Sequence, residues 1–464
     1  MKPHRSPMPA LRNLQVTDRD PADLKPHPSN ARTHSDRQLH QIAKSIETFG
    51  FTVPVLVDGQ GIILAGHGRV AAARTMGLQS VPTILIDDLS DAQKRAYVIA
   101  DNRIAQLSGW DADLLADELK FLADHAEGLD FDLEVTGFDW GEIDVLIAGG
   151  DTEEKGRAKI LGKGTGRKGR PTAEDRIVEP DSEHPPVSSA GTLWCLGEHR
   201  LYVGDSTARA SYEMVLRRPD GSLEPADLVF TDPPYNVPID GHVSGLGAIR
   251  HREFAMASGE MTTAQFTAFL KSVFSLMAAT SRDGSIHFIC MDWRHMSEVL
   301  DASTGVYSDL KNLCVWNKDN AGMGSLYRSK HELVFVFKNG AAPHINHVEL
   351  GAKGRYRTNV WDYPGVNSFG GRAALEMHPT VKPVALIADA IRDCSNRRDV
   401  VLDPFGGSGS TLIAAERTGR RARLIELDPR YADTIVRRWQ DLTGGEAEDA
   451  LTGLTFAQLA EELG

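Results

Sequence analysis

The chain has 464 residues, of which 25% are charged, and a net charge of −13. It is too long for one ordinary core and too acidic to coat a polyanion over its whole surface, although a local basic cleft stays compatible with that charge. No apolar run reaches the roughly 20 residues that span a bilayer. The basic, proline-containing start lacks the apolar stretch of a signal peptide, so no membrane and a cytoplasmic location are expected. The four cysteines, Cys195, Cys290, Cys314 and Cys394, form no CxxC pair, and no metal site is expected.

Residues 19–107 read as a compact α/β unit. Ser35 opens a helix, Gln38 completes a capping box, and Leu39, Ile42, Ala43, Ile46 and Phe49 share one face before Gly50 stops it. Val53–Asp58 and Gly61–Ala65 read as strands around Asp58-Gly59-Gln60. A helix over Val70–Met76 ends at Gly77, and Val81–Asp87 is a further strand. Ser90 and Gln93 cap a long helix to about Leu107. Residues 108–150 form a helical extension, with breaks near Gly128 and Gly137. Residues 151–190 lose all apolar periodicity. Lys155, Arg157, Lys159, Lys163, Arg167, Lys168 and Arg170 alternate with glycines, and prolines follow, which reads as a basic, Pro/Gly-rich linker. Its basic half is a solvated tether or an arm on DNA phosphates.

From residue 191 to about 443 strands alternate with helices, the pattern of a mostly parallel sheet covered on both faces. The strands are Arg200–Val203, Ala226–Thr231, Ser285–Cys290, Asn312–Asn317, Leu333–Lys338, Val400–Pro404 and Arg423–Leu427. The acidic last 20 residues read as a short terminal helix.

Four segments in this half carry chemistry. Asp232-Pro233-Pro234-Tyr235 follows the apolar strand directly, so its carboxylate lies at a strand's carboxyl end, where α/β sheets bind ligands. The two prolines fix the backbone and its carbonyls, and the tyrosine supplies a flat ring. A carboxylate and a fixed carbonyl can grip both hydrogens of a base's amino group and stabilise the positive charge that develops as its nitrogen attacks. Asp403-Pro-Phe405-Gly-Gly407-Ser408-Gly409-Ser-Thr411 reads strand, glycine turn, helix. It lacks the lysine of a phosphate-binding loop and the last glycine of a dinucleotide fingerprint. Glu426, on the next strand, is placed to meet ribose hydroxyls, and the set suits a nucleoside without phosphates. His378-Pro-Thr380-Val-Lys382-Pro383 locks polar side chains at a helix start, and Gly204-Asp205-Ser206 follows a strand.

Together these segments resemble the beta class of DNA amino-methyltransferases over residues 191–443. The class implies a Rossmann-like, mostly parallel α/β sheet with a circularly permuted motif order, the catalytic motif preceding the cofactor motif. By that resemblance Asp232, Pro233, Pro234 and Tyr235 are catalytic. Asp205, Thr380, Lys382, Asp403, Phe405, Gly407, Ser408, Gly409 and Glu426 hold S-adenosyl-L-methionine. Duplex DNA is the substrate, of the kind modified in restriction–modification systems, and adenine is the target base. Residues 340–377, with Arg355, Tyr356, Arg357, Trp361, Tyr363 and Arg372, are the candidate target-recognition region, in which Arg355 and Arg357 would read base edges. Trp316-Asn317-Lys318 and His331-Glu332 also look like this class.

Leu24-Lys-Pro26, Asn30-Ala-Arg32, Ser45-Ile46 and Ala65-Gly66-His67-Gly68-Arg69 resemble the amino-terminal domain of ParB-like proteins, over residues 19–107. The fold expected is therefore a small α/β ParB-like domain ahead of the methyltransferase domain. ParB partition proteins bind CTP at a related arginine-bearing loop, which raises CTP or another nucleotide as a partner. His67 stands where partition members carry an acid, and no helix-turn-helix partition module is read after this unit. A DNA-contacting or docking accessory domain is the plainer reading, with a homodimer left open. The rival readings are a cytosine amino-methyltransferase, the same chemistry on RNA or protein, and a ParB-like binder with a vestigial transferase.

Overall fold

Two separate runs of apolar patterning give two units, Met1–Glu153 and Glu154–Gly464. A computed structural model describes residues 14–107, 109–125, 131–150, 184–236, 259–319, 326–348, 357–365 and 382–463.

The first unit runs β1 (Val16–Arg19), β2 (Lys25–Pro26), α1 (Asp36–Phe49), β3 (Val55–Val57), β4 (Ile62–Ala65), α2 (His67–Thr75), β5 (Val81–Leu85), α3 (Asp91–Leu107), α4 (Ala112–Asp124) and α5 (Trp140–Gly150). Its sheet has the order β1-β5-β3-β4-β2. Leu24, Val55, Val57, Ile63, Val70, Ala73 and Val81 form the core between sheet and helices. Ser35 caps α1 by accepting from the Gln38 amide at 3.2 Å, and Gly50, at φ 74°, ends it. Only half of the expected capping box forms, because the Gln38 side chain is engaged with His34 at 3.0 Å. The box at Ser90 and Gln93 forms in both directions. Helix α2 begins at His67, three residues before the expected Val70, on a left-handed Gly66 at φ 101°. The sheet also reaches back before residue 19: β1 pairs with β5 from Val16. This strand is exposed and polar, so its sequence carries no alternation to announce it. Helices α4 and α5 share a small core of Leu119, Ala123, Leu133, Ile143 and Ile147. Lys44 of α1 reaches Glu134 at 3.0 Å and Arg37 reaches Asp139 at 2.5 Å, so the helical extension packs within this unit.

The second unit runs β6 (Leu193–Leu196), β7 (His199–Val203), α6 (Arg209–Leu216), β8 (Ala226–Thr231), α7 (Thr263–Ala279), β9 (Ser281–Met291), α8 (Met296–Ser303), β10 (Asp309–Asn317), β11 (His331–Lys338), β12 (Val360–Asp362), α9 (Val384–Cys394), β13 (Val400–Asp403), α10 (Ser410–Thr418), β14 (Arg421–Glu426), α11 (Pro429–Thr443), β15 (Ala447–Asp449) and α12 (Phe456–Leu463). The sheet order is β12-β10-β11-β9-β8-β13-β14-β7-β6-β15. Its central strands β9, β8, β13, β14 and β7 are mutually parallel, and antiparallel β11 and β6 flank them.

Both faces of this sheet are covered, which is why its strands read as unbroken apolar runs. In β8, Leu228 and Phe230 point to the layer of α9, α10 and α11, whereas Val229 points to the layer of α6, α7 and α8. In β14, Leu424 and Ile425 divide the same way. From β8 the chain proceeds outward to β9, and from β13 it proceeds to β14 on the opposite side. The sheet therefore has its topological switch point between β8 and β13, the place where open α/β sheets leave a crevice at their carboxyl ends. Among the described residues no helix is long and apolar enough to cross a membrane.

Both expected boundaries of this unit move outward. Residues 184–190, expected as linker, are docked on α11: the Val187 and Ser188 amides donate to Asp433 at 2.8 and 2.9 Å. Beyond residue 443, β15 extends the sheet alongside β6, and Phe456 of α12 packs on Trp194 with ring centroids 5.3 Å apart. Short apolar contacts at chain ends leave no periodic signal. Asp433 is 3% exposed. Its replacement by alanine strands two amide donors and is expected to destabilise this unit by about 2–3 kcal/mol in urea unfolding. A loss below about 0.5 kcal/mol would show that the strap at residues 187–188 adds nothing to stability.

Candidate active site

Four acidic positions from the sequence lie at the carboxyl ends of adjacent strands. Asp232 follows β8, Asp403 ends β13, Glu426 ends β14 and Asp205 lies just past β7. The fold brings them together because each segment is a strand followed by a turn, and the strands are parallel neighbours.

Asp232 leaves β8 at the switch point. Pro233 is buried and Pro234 half-buried. The chain then turns at Asn236, a non-glycine residue at φ 52°. Asn236 is held there by its own side chain, which accepts from the Gly259 and Met261 amides and donates to the Met261 carbonyl at 2.8 Å. The Tyr235 hydroxyl, 2.7 Å from Asp232 Oδ1, is also 3.1 Å from Glu332 Oε2. Lys382 Nζ donates to Asp232 Oδ2 at 2.7 Å and to the Tyr235 hydroxyl at 3.0 Å, and pairs with Glu332 Oε2 at 2.8 Å. Lys318 closes the cluster on Glu332 Oε1. The Trp316 ring lies beneath both ammonium groups, 4.5 Å from Lys318 and 5.8 Å from Lys382.

Lys382 is thus brought to the Asp232 carboxylate, whereas the sequence reading gave it to the cofactor. Its side chain is 3% exposed, but that of Asp232 is 27% exposed and open to a ligand. Burial pushes the Asp232 carboxyl above the ordinary carboxylate range and Glu332 adds to that, against the pull of Lys382 and Tyr235. Burial would also raise Glu332, but Lys382 and Lys318 outweigh it and hold the carboxyl at about 2. Two carboxylates hold Lys382 firmly protonated despite its burial.

The glycine turn sits beside this cluster. Buried Asp403 accepts from Thr231 at 2.8 Å, Thr411 at 2.6 Å and the Phe405 amide at 3.1 Å. It joins the last residue of β8 to the start of α10. Gly407 and Gly409 take left-handed φ values of 52° and 84°. A Cβ at Gly409 would stand 3.1 Å from Ile435, so this glycine is required by packing on α11. A Cβ at Gly407 would meet nothing nearer than the Phe405 carbonyl at 3.8 Å, which leaves space for a ligand against the backbone. Glu426 Oε2 accepts from the Gly407 amide at 2.7 Å and Oε1 from the Asp428 amide at 2.9 Å. Phe405 packs on Phe269, centroids 6.1 Å apart, and the Ser408 carbonyl accepts from Arg438 at 2.9 Å. Asp205 Oδ1 accepts from the Thr207 amide and hydroxyl, both at 2.7 Å, and the Gly204 amide donates to the Glu426 carbonyl at 2.9 Å. Burial pushes Asp403 and Glu426 each up to about 7. An open glycine turn walled by carboxyl groups suits a cationic nucleoside, and the residues present fit S-adenosylmethionine on that ground.

Thr380, Arg355, Tyr356 and Arg372 lie outside the described residues. Arg357, expected to face base edges, is engaged within the protein. Its Nε donates to Asp393 and its Nη1 to Tyr363 and Asp389 at 3.0, 2.8 and 3.2 Å, and it lies over Trp361 at 5.0 Å. The expected recognition segment also contains β12, the sheet's edge strand beside β10. Among the described residues no cluster of three or more His, Cys, Asp or Glu could hold a metal ion.

Residues 226–437 match the DNA methylase family, residues 9–103 the ParB N-terminal domain, and residues 113–190 the ParB-methyltransferase HTH domain. The last match covers the segment read from sequence as a helical extension and linker, and contradicts the expectation that no helix-turn-helix module follows. Over 262 residues the chain is 27% identical to the DNA adenine methyltransferase YhdJ of Escherichia coli K12, covering 49% of this chain and 80% of that protein. Over 82 residues it is 48% identical to the ParB-like nuclease domain-containing protein YnaK of the same organism, covering 18% of this chain and 94% of that protein. The solved M1.HpyAVI–SAM complex is similar at 20% identity with a TM-score of 0.36, covering 52% of this chain and 98% of that chain.

Glu426 generates a pH-dependent prediction. Between about pH 4.5 and 7 the unfolded carboxyl is ionised while the folded one, raised to about 7, keeps its proton. The native state then binds more protons, so this residue's contribution falls as pH rises through that window, by on the order of 3 kcal/mol. Glu426→Gln misplaces an amide against two donors and is less stable throughout, but it lacks this term. Urea unfolding across the window is expected to show the wild-type advantage narrowing with rising pH. Parallel profiles would mean that the folded carboxyl titrates in the ordinary range.

Proposed function

Because this chain belongs to the S-adenosylmethionine-dependent DNA methylases, with a ParB N-terminal domain ahead of the methylase unit, we propose that it methylates the exocyclic amino nitrogen of adenine in duplex DNA. The observation that carries the reading is the Asp232-Pro-Pro-Tyr235 segment at the switch point, beside the open turn at Gly407. Similarity to a protein named as a DNA adenine methyltransferase supports adenine over cytosine.

S-adenosylmethionine would be held by the Gly407 turn with Ser408 and Gly409, by Phe405, and by Glu426 and Asp205, with Asp403 fixing the turn. Bound there, it supplies a methyl group on a positively charged sulfur, an electrophile that leaves behind a neutral thioether. The remaining work belongs to the chain. An amino group on a purine ring is a weak nucleophile, since its lone pair is delocalised. Asp232 accepts one amino hydrogen and the Pro233 carbonyl the other, which favours a nitrogen with its lone pair free. As the nitrogen–carbon bond forms, positive charge grows on the base, and the Asp232 carboxylate stabilises it and then takes the proton. A carboxyl raised above the ordinary range by burial is the better acceptor. A base inside a duplex is out of reach, so the target must be extruded from the stack, with the Tyr235 ring as its partner.

For the amino-terminal unit, a cleft of about 450 Å³ supports a second ligand. Ser29, Asn30, Arg32, Gln38, Asn102 and Arg103 line it, and its two arginines suit a phosphorylated nucleotide such as CTP.

Expression in a methylation-free host, followed by base-resolved mapping of its DNA, tests the main reading. The expected result is N6-methyladenine at one short recurrent sequence. N4-methylcytosine would shift the assignment to the other amino base, and unmodified DNA from a host holding folded protein would contradict the methylase reading.

A further inference from the structure

Lys382 raises a problem of charge. Its ammonium is 3% exposed and its contact with Asp232 is 2.7 Å. If Asp232 were its sole counter-ion, taking up the substrate's proton would leave a buried cation unpaired, a strongly unfavourable state. The proton would then resist arriving where the chemistry needs it. Glu332 removes the problem: it lies 2.8 Å from the same ammonium, on β11, separated from β8 by β9. Lys318, 20% exposed, balances Glu332 in turn while both carboxylates are ionised.

We propose that Glu332 is the fixed counter-ion of Lys382, a positioning residue that keeps the lysine paired while Asp232 gains a proton and loses its charge. The inference rests on the methylase reading for its use in catalysis, though the ion cluster itself does not. The balance is simple. The amino nitrogen forms a bond to the methyl carbon as the sulfur–carbon bond breaks, and one nitrogen-bound proton passes to Asp232. Before the step the cluster holds Asp232, Glu332, Lys318 and Lys382 and is neutral; afterwards it carries one positive charge, with Lys382 and Lys318 both still against Glu332. The Tyr235 hydroxyl touches Asp232, Glu332 and Lys382 and holds the three in register. The other titratable groups facing the cluster among the described residues are Cys290 of β9, whose thiol burial keeps protonated, and Asp403 of β13. Asp403 is committed to Thr231 and Thr411.

Two substitutions move the Asp232 titration in opposite directions. In Glu332→Gln the lysine keeps one of its two carboxylates and the cluster loses a negative charge, so protonating Asp232 becomes harder and its midpoint falls. In Lys318→Met a positive charge is lost, the cluster is left one charge more negative, and the midpoint rises. The readout is the pH titration of carboxyl-labelled aspartate by carbon-13 NMR on the full chain without cofactor. The Asp232 signal is the one lost in Asp232→Asn. Shifts of about one pH unit in opposite senses are expected. The acid limb of kcat/KM for methyl transfer should move with them, which a loss of packing would not cause. Midpoints unchanged, or moved in the same sense, would overturn the proposal. Should Glu332→Gln fail to fold, the sign of the Lys318→Met shift decides alone, since a downward or absent shift contradicts it. A wild-type protein that transfers no methyl group would end the methylase reading while leaving the titration result intact. Transfer with unmoved titrations would end this inference alone.

Discussion

The Asp403 carboxylate is the joint on which the site depends. One oxygen accepts from Thr231, the residue immediately before Asp232, and the other from Thr411 in the first turn of α10. A single buried group therefore locks the end of β8 to the glycine turn after β13. Neither segment could shift along its strand without breaking a hydrogen bond in a place that water does not reach, where a lost partner costs about 1–3 kcal/mol. Asp232 and the Gly407 turn come from positions more than 150 residues apart, yet this joint fixes their separation. Asp403 is accordingly better described as holding the turn than as touching the ligand.

Around that joint the electrostatics divide into two regions. On the Asp403 and Glu426 side, carboxyl groups are buried without ammonium partners among the described residues and rise toward neutrality, up to about 7. A cation arriving there would be met by the Glu426 carboxyl, ready to ionise. On the Asp232 side, two lysines and two carboxylates neutralise one another, and Asp232 is the most exposed of the four. In the proposed reaction this arrangement would separate the binding of a positively charged donor from the capture of a proton, although the two regions meet at adjacent strands. The acidic chain as a whole says little about either, because both depend on local placement.

Much of this was legible in the sequence where the signal is local. An apolar run, a proline pair and an acid announce the end of β8, and glycines before a helix announce the turn after β13. The Ser35 and Ser90 caps are readable for the same reason: donor and acceptor lie within one turn. What stayed hidden depends on contacts between distant segments. Glu332 and Lys382 are 50 positions apart, and nothing in either neighbourhood announces their pairing. Arg357 has the composition of a base reader, but Asp389 and Asp393 happen to face it one helix later. The strap at Val187 and Ser188 looks like the end of a linker, since the carboxylate that takes both of its amides, Asp433, is more than 240 residues on. Exposed or very short strands such as β1, β2 and β15 also escaped, having too few buried positions to show a period.

The central claim is that Asp232 serves the base and the Gly407 turn serves the cofactor, as two functions in one crevice. The most direct test compares Asp232→Ala with wild type in two assays on the same preparation: calorimetric binding of S-adenosylmethionine, and transfer of labelled methyl to duplex DNA. The account predicts a fall in transfer of about 10²–10³ or more with cofactor affinity within a few-fold of wild type. Near wild-type transfer, or a loss of cofactor binding as large as the loss of transfer, would contradict it.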